Sequence, residues 1–168
     1  LMEEADLIRK FNEGQHLVLT GGSPLLQQDK LVSFLKKFIQ RYGFKPYIEI
    51  ENECTILPVQ DLVELTNCWN NSPKTSNSGV KREIRYKPEI LKKLASLKNS
   101  WFKFVVSRDE DWTEIKNDYL DSTLINKNQI VLMPLGGTRK ELSRKRETVI
   151  NLAVRENVRY STREQIVV

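Results

Sequence analysis

The chain carries one histidine and two cysteines in 168 residues. Cys54 and Cys68 stand in separate segments without CxxC or other metal-ligand spacing, which fits a reducing compartment better than a disulfide scaffold and reads as buried small side chains. Long apolar runs are missing as well. Stretches such as Ile130 to Met133 and Phe102 to Val106 fall far short of the roughly 20 residues that a membrane span needs, and nothing near Leu1 reads as a signal peptide. No membrane role is expected, and the expected location is the cytoplasm. An excess of one charge sign is small: 27 Lys and Arg against 22 Asp and Glu give +5. That balance favours anionic ligands but is scattered, so no direct nucleic-acid partner is expected.

What is present is alternation of two periods. Residues 16–20 alternate as a strand, after which Leu31, Leu35, Phe38 and Tyr42 recur at helical spacing until Gly43 stops the helix. Residues 46–51 form a second strand and residues 65–71 a third, although Asn67, Asn70 and Asn71 are poor strand formers. Pro88 opens a helix with Ile90, Leu91, Leu94 and Leu97, and residues 101–106 follow as a strand. Asp109 is read as the cap of a helix bearing Trp112, Ile115 and Tyr119. Residues 129–133 make another strand, and Thr138 with Glu141 forms a capping box before a helix that buries Leu142, Val149, Leu152 and Ala153. A last strand starts near Val158. This rhythm predicts one α/β domain over residues 1–168, with right-handed crossovers and mostly parallel strands, either open or curled into a barrel. Residues 72–87 read as one long irregular loop.

Ligands of such folds sit at the carboxyl ends of the strands, and the unusual residues gather there. Gly21 and Gly22 follow the first strand, and Ser23 with Pro24 reads as cap and first turn of a helix. The pair serves either a tight turn or close approach of a ligand to backbone. Tyr47, Glu49 and Glu51 share one face of the second strand, so that face either meets water or lines a polar cavity. Lys103 interrupts an apolar strand and can pair with Glu49 or Glu51. His16 lies at the opposite strand end and is assigned a structural role. The basic run Arg139 to Arg146 reads as a solvated helix face.

LTGGSPLLQ is similar to the glycine-rich motif of radical S-adenosylmethionine enzymes. IEIENECTILP, NNSPKTSNSG, FKFVV, VLMPLGG and RYSTREQI, in that order, resemble the 7-carboxy-7-deazaguanine synthase family. The resemblance covers essentially the whole chain. It implies a partial (β/α) barrel, usually homodimeric, that binds S-adenosylmethionine on a [4Fe–4S] cluster and draws electrons from a flavodoxin or ferredoxin. The implied reaction converts 6-carboxy-5,6,7,8-tetrahydropterin to 7-carboxy-7-deazaguanine with Mg²⁺. By position, Gly21, Gly22 and Ser23 are implied to meet the methionine amino group, and Ser72 and Lys74 its carboxylate or the ribose. Met133 and Pro134 are implied beside the adenosine. Glu51 and Asn52, with Arg163 and Gln165, are implied to bind the pterin.

The chain departs from the family pattern in several places. Ser23 stands where Glu is commonest, and Cys54 where Gly is frequent. The family's three cluster cysteines belong to a segment before Leu1, so the expectation is a fragment lacking the first strand and cluster loop, with no catalytic residue and no metal ligand of its own. A non-catalytic binding module and a radical activase acting on a partner protein are the alternative readings.

Overall fold

The computed structural model describes residues 4–163. Helix α1 (Glu4–Asn12) precedes β1 (Leu17–Leu19), and a 3₁₀ turn (Pro24–Gln27) leads into α2 (Gln28–Tyr42). Then come β2 (Ile48–Asn52), α3 (Gln60–Leu65) and β3 (Cys68–Asn71). A 3₁₀ turn (Ser76–Ser78), α4 (Arg82–Arg85) and α5 (Pro88–Ala95) lead to β4 (Ser100–Val106). Helix α6 (Asp109–Ile115) runs on into a π turn (Lys116–Leu120), and β5 (Ile130–Pro134), α7 (Arg139–Glu156) and β6 (Arg159–Tyr160) complete the order.

Six strands lie side by side in chain order, each parallel to the next, and among the described residues β1 and β6 remain separate edges. Consecutive right-handed crossovers in such an order place every helix on one face of the sheet. Burial shows which face that is. Ile48, Ile50, Phe102, Phe104, Val106, Ile130 and Leu132 are fully buried in one core with Leu35, Leu91, Leu94, Ile115 and Val149. The residues between them in sequence, Glu49, Glu51, Lys103, Val105 and Met133, are partly exposed on the other face. The sheet is therefore open, with one apolar face under helices and one more polar face.

The predicted elements recur with shifted ends, and three differences have physical causes. Helix α3 was not expected, because six residues with one fully buried position, Leu62, are too few to display a helical period. Residues 72–87 contain a 3₁₀ turn and α4 rather than an unbroken loop. Asp109 is not the cap of α6; Arg108 occupies that position, and the buried Asp111 carboxylate instead accepts the Ser107 amide at 2.7 Å. The Thr138 capping box is present: the Glu141 amide donates to Thr138 Oγ1 at 3.2 Å, and the Glu141 carboxylate accepts the Thr138 amide at 3.1 Å.

Asn70 and Asn71 tolerate strand geometry because both side chains find partners across the sheet. Asn71 Nδ2 donates to Ser100 Oγ at 2.8 Å and Asn71 Oδ1 accepts from Asn52 Nδ2 at 2.8 Å. Asn70 Nδ2 donates to Glu49 at 2.6 Å on the open face. Cross-strand pairing has overridden local propensity.

Two outcomes follow for stability. Phe104→Ala, at a fully buried position on the central strand, is expected to cost about 3–5 kcal/mol, read from urea unfolding; a loss below about 1 kcal/mol would show that this core is not continuous. Backbone donors from Gly137 and Thr138 hold the Glu141 carboxyl below its ordinary range. Its stabilisation of α7 is then full above the ordinary glutamate range and is lost as pH falls through the lowered value. Glu141→Gln should flatten that part of the stability profile between about pH 5 and pH 3.

Candidate active site at the carboxyl ends of the strands

The turn after β1 is dictated by backbone conformation. Gly21 and Gly22 have φ of 85° and 56°, a region that L side chains enter at a cost, and a Cβ built on either meets no atom within 4 Å. Packing therefore does not demand glycine here. The conformation does, and the space beside it is open. Ser23 stands at the cap position with Pro24 opening the turn, but the turn is 3₁₀: the Leu26 amide donates to the Ser23 carbonyl at 3.1 Å, and the Ser23 side chain makes no capping bond. Ser23 Oγ is left buried with no hydrogen-bond partner among the described residues. Helix α2 begins only at Gln28, so its amino end does not follow directly on the glycines.

The turn after β2 is built differently. Asn52 is 4% exposed, its amide donates to Asn71, and its Oδ1 accepts the Cys54 amide at 2.9 Å. That last bond holds Cys54 at φ 66°, which is where the resemblance places a frequent glycine. A left-handed non-glycine residue costs about 1–2 kcal/mol, and the buried Asn52 bond offsets part of it. Asn52 thus shapes the turn with both ends of its side chain.

Glu51 projects on the open face, where its carboxylate accepts Thr20 Oγ1 at 2.8 Å and lies 3.9 Å from Lys103 Nζ. Of the two pairings open to Lys103 in the sequence, the structure takes Glu51. Glu49, one step down the same strand, is engaged by His16 Nδ1 at 2.5 Å and by Asn70. The His16 ring also stacks on Tyr47 at 4.1 Å, so the lone histidine braces the lower end of the sheet.

Two adjoining hollows occupy the upper end. The first, about 150 Å³, lies among Thr20, Gly22, Glu51, Asn52, Glu53, Ser72 and Lys74. The second, about 200 Å³, lies among Ser72, Lys74, Lys103, Val105, Leu135 and Arg163. Ser72 and Lys74 belong to both, so the two form one crevice across the strand ends. Together they reach the lower end of the roughly 300–1,000 Å³ of small-molecule sites. A larger hollow of about 440 Å³ beside Trp112, Asp121 and Glu156 lies at the amino end of β5, the side where parallel folds do not place their ligands. Chemistry outweighs volume here: the crevice gathers Lys74, Lys103 and Arg163 with Glu51 and Glu53, and the excess of positive charge suits a ligand that carries an anionic group.

Arg163 reaches the crevice from beyond β6, and its Nη1 donates to the Gly136 carbonyl at 2.8 Å. Met133 lies on the open face, register partner of Val105. Pro134 points the other way and lines a separate hollow with Arg139, Arg146 and Tyr160. Gln165 lies outside the described residues. Of the residues singled out in the sequence, the crevice thus brings together Gly22, Glu51, Asn52, Ser72, Lys74, Lys103 and Arg163. Thr20, Val105 and Leu135 were not singled out. Thr20 carried a signal, as the last polar residue before the glycines on the face of Glu51, whereas the two apolar residues carried none.

Neither cysteine suits a metal or cluster. Both are free and buried, Cys54 within the main core and Cys68 beside Glu49 on the other face. Burial pushes the Cys54 thiol far above its ordinary range and raises that of Cys68, so both stay protonated where a cluster needs thiolates. Among the described residues, no three His, Cys, Asp or Glu side chains are grouped to hold a metal ion. No helix among them is long and apolar enough to cross a membrane.

The sheet order, the helix-covered face and the crevice at the strand ends define an α/β protein of the partial (β/α) barrel class. No family model matches the chain. It is similar to the 7-carboxy-7-deazaguanine synthase of Pyrobaculum aerophilum, with 30% identity over 90% of this chain and 64% of that protein. It is also similar to that of Halobacterium salinarum, with 28% identity over 93% of this chain and 65% of that protein. The crystal structure of QueE from Escherichia coli shares the fold, with a TM-score of 0.57 and 20% identity over 95% of this chain and 62% of that one. The resemblance carried by the motifs is thus a resemblance of sequence along nearly the whole chain, which spans just under two thirds of the relatives' length.

The thiol reading is checked by modification. Folded protein should leave both cysteines unreactive toward a thiol reagent at pH 8, at least about 100-fold slower than in urea; rapid native labelling of Cys54 would overturn it.

Proposed function

We propose that the chain is the barrel portion of a radical S-adenosylmethionine carbon–nitrogen lyase of the 7-carboxy-7-deazaguanine synthase type, acting on 6-carboxy-5,6,7,8-tetrahydropterin. One observation carries the reading: residues from the ends of several strands, far apart in sequence, line one cation-rich crevice beside the glycine turn. The curated relatives' names support the same activity.

In this reading Gly21 and Gly22 let the methionine end of the cofactor approach backbone, and the unpartnered Ser23 hydroxyl is an acceptor for its ammonium. Ser72 and Lys74, common to both hollows, take its carboxylate or ribose. Met133 faces the adenosine without Pro134, which lies on the opposite face of the sheet. Glu51, oriented by Thr20, accepts the pterin's N–H donors, while Asn52 acts through the turn it holds. Arg163, with Gln165 as a further candidate, pairs with the pterin carboxylate.

Bound S-adenosylmethionine supplies the radical chemistry in such enzymes. The present residues do not fit a [4Fe–4S] cluster, because Cys54 and Cys68 are buried, protonated and on different faces; its ligands are proposed to lie in another segment of the full-length protein. Mg²⁺, a flavodoxin or ferredoxin donor, a homodimer and a cytoplasmic setting belong to the same proposal, as does treatment of residues 1–168 as one domain. A binding module that holds the pterin without turnover is the second reading. A radical activase is less well supported, since two hollows of about 150 and 200 Å³ suit a small molecule better than a docked protein loop.

The test is anaerobic reconstitution of the full-length protein with the carboxypterin. Wild type should form product, and Glu51→Ala and Arg163→Ala should each lower kcat/KM about 10- to 100-fold, the scale of one lost charge-assisted hydrogen bond. Cleavage of S-adenosylmethionine should persist in both. Unchanged turnover in the variants would defeat the assignments, and pterin binding without product would select the binding module.

A further inference from the structure

The residues after β3 leave the sheet, yet they supply Ser72 and Lys74 to both hollows. Something must fix this loop. Arg85, on α4, is 6% exposed and all three of its guanidinium nitrogens are used. Nε donates to the Val80 carbonyl at 3.1 Å, Nη1 to the Lys74 carbonyl at 3.2 Å, and Nη2 pairs with Glu114 on α6 at 2.8 Å. Glu114 turns back to the same loop, accepting the Ser76 amide at 3.0 Å and Ser76 Oγ at 2.5 Å. Tyr119 adds a second donor to the Lys74 carbonyl at 3.3 Å, and Asn77 Nδ2 donates to the Val105 carbonyl of β4 at 2.9 Å. The backbone of Lys74 is therefore tied from below, while its ammonium has no hydrogen-bond or ion-pair partner among the described residues.

We infer that Arg85 and Glu114 are positioning residues that hold the Ser72–Lys74 loop in its ligand-ready form before any ligand arrives. An unpaired buried charge is costly, so each partner keeps the other in place, and the planar guanidinium fork can serve two carbonyls and a carboxylate at once. A lysine at 85 has no such fork. Preformed loops spare a ligand the cost of ordering them, so the pair acts on affinity through Lys74 without touching the ligand. The identity of that ligand as S-adenosylmethionine rests on the function proposed above.

Amide hydrogen exchange of the unliganded protein reads the loop directly. In Glu114→Ala and Arg85→Met, amides of Ser76 to Gly79 should exchange about tenfold faster or more, while those of Phe102 to Val106 stay protected. Glu114→Gln, which keeps an acceptor but loses the charge, should fall between, and Arg85→Lys should not restore protection. Unchanged loop exchange, or a uniform rise including β4 that marks plain destabilisation, would overturn the inference. In reconstituted full-length protein the Kd for S-adenosylmethionine should rise about tenfold in Arg85→Met, and the same change should cost nothing more in a Lys74→Ala background. Fully additive losses would refute action through Lys74. If wild type binds no S-adenosylmethionine, the function proposal falls while the exchange pattern still decides whether the pair holds the loop.

Discussion

Every strand of the sheet runs in the same direction and in chain order, and the site depends on that constraint. Parallel neighbours in sequence put all six carboxyl ends on one edge, so residues separated by more than 140 positions, Gly22 and Arg163, reach adjoining hollows. The same order sends every crossover to one face. Helices then cover Ile48, Ile50, Phe102 and Phe104, and the other face is left to carry Glu49, Glu51 and Lys103. A two-residue period in each strand thus separates core from chemistry without any further device.

Polar groups on the covered face show what that separation costs. Asn52, Asn71 and Ser100 lie within a few residues of the apolar core, and their burial is tolerable because Asn52 donates to Asn71 and Asn71 donates to Ser100 and to the Trp101 carbonyl. Each such bond contributes only about 0.5–1.5 kcal/mol net, but leaving a member unpaired costs about 1–3 kcal/mol. The ladder therefore acts mainly as a constraint on register across β2, β3 and β4. Since Asn52 also holds the left-handed Cys54, register and turn shape are set by the same side chain. Asn52 lines the first hollow and is at the same time part of the frame that aims Glu51.

Much of the fold was legible because it rests on periodicity. Trp101 to Val106 alternates so clearly that its strand lies within one residue of expectation, and Thr138 with Glu141 announced α7 through a capping box that forms as written. Short elements escaped for the converse reason: α3 and α4 are too brief to repeat any pattern, and both are held by tertiary contacts. Within the site, Gly22, Glu51 and Lys103 were legible as residues out of keeping with their surroundings. Which way Pro134 faces was not, because one step along a strand reverses the face and the strand's end had to be known to that precision. Ser23 holds the cap position as expected, but of a 3₁₀ turn and without a side-chain bond, because sequence does not distinguish that turn from the start of an α-helix.

The charges of the crevice follow from how each is held. Lys103 stands 27% exposed and 3.9 Å from a carboxylate that is 44% exposed, so that pair is weakly coupled and screened by water. Arg163 spends one nitrogen on the Gly136 carbonyl, which fixes its position without neutralising it. Among the described residues, Lys74 is tethered through its backbone only. The ion pair of Arg85 with Glu114 lies below the crevice, where it fixes the loop and adds no net charge. Positive charge is thus left in excess at the surface that meets the ligand and cancelled where it serves the scaffold. Only the first kind can be neutralised by an incoming anion, so the crevice gains from binding what the buried pair has already gained from folding.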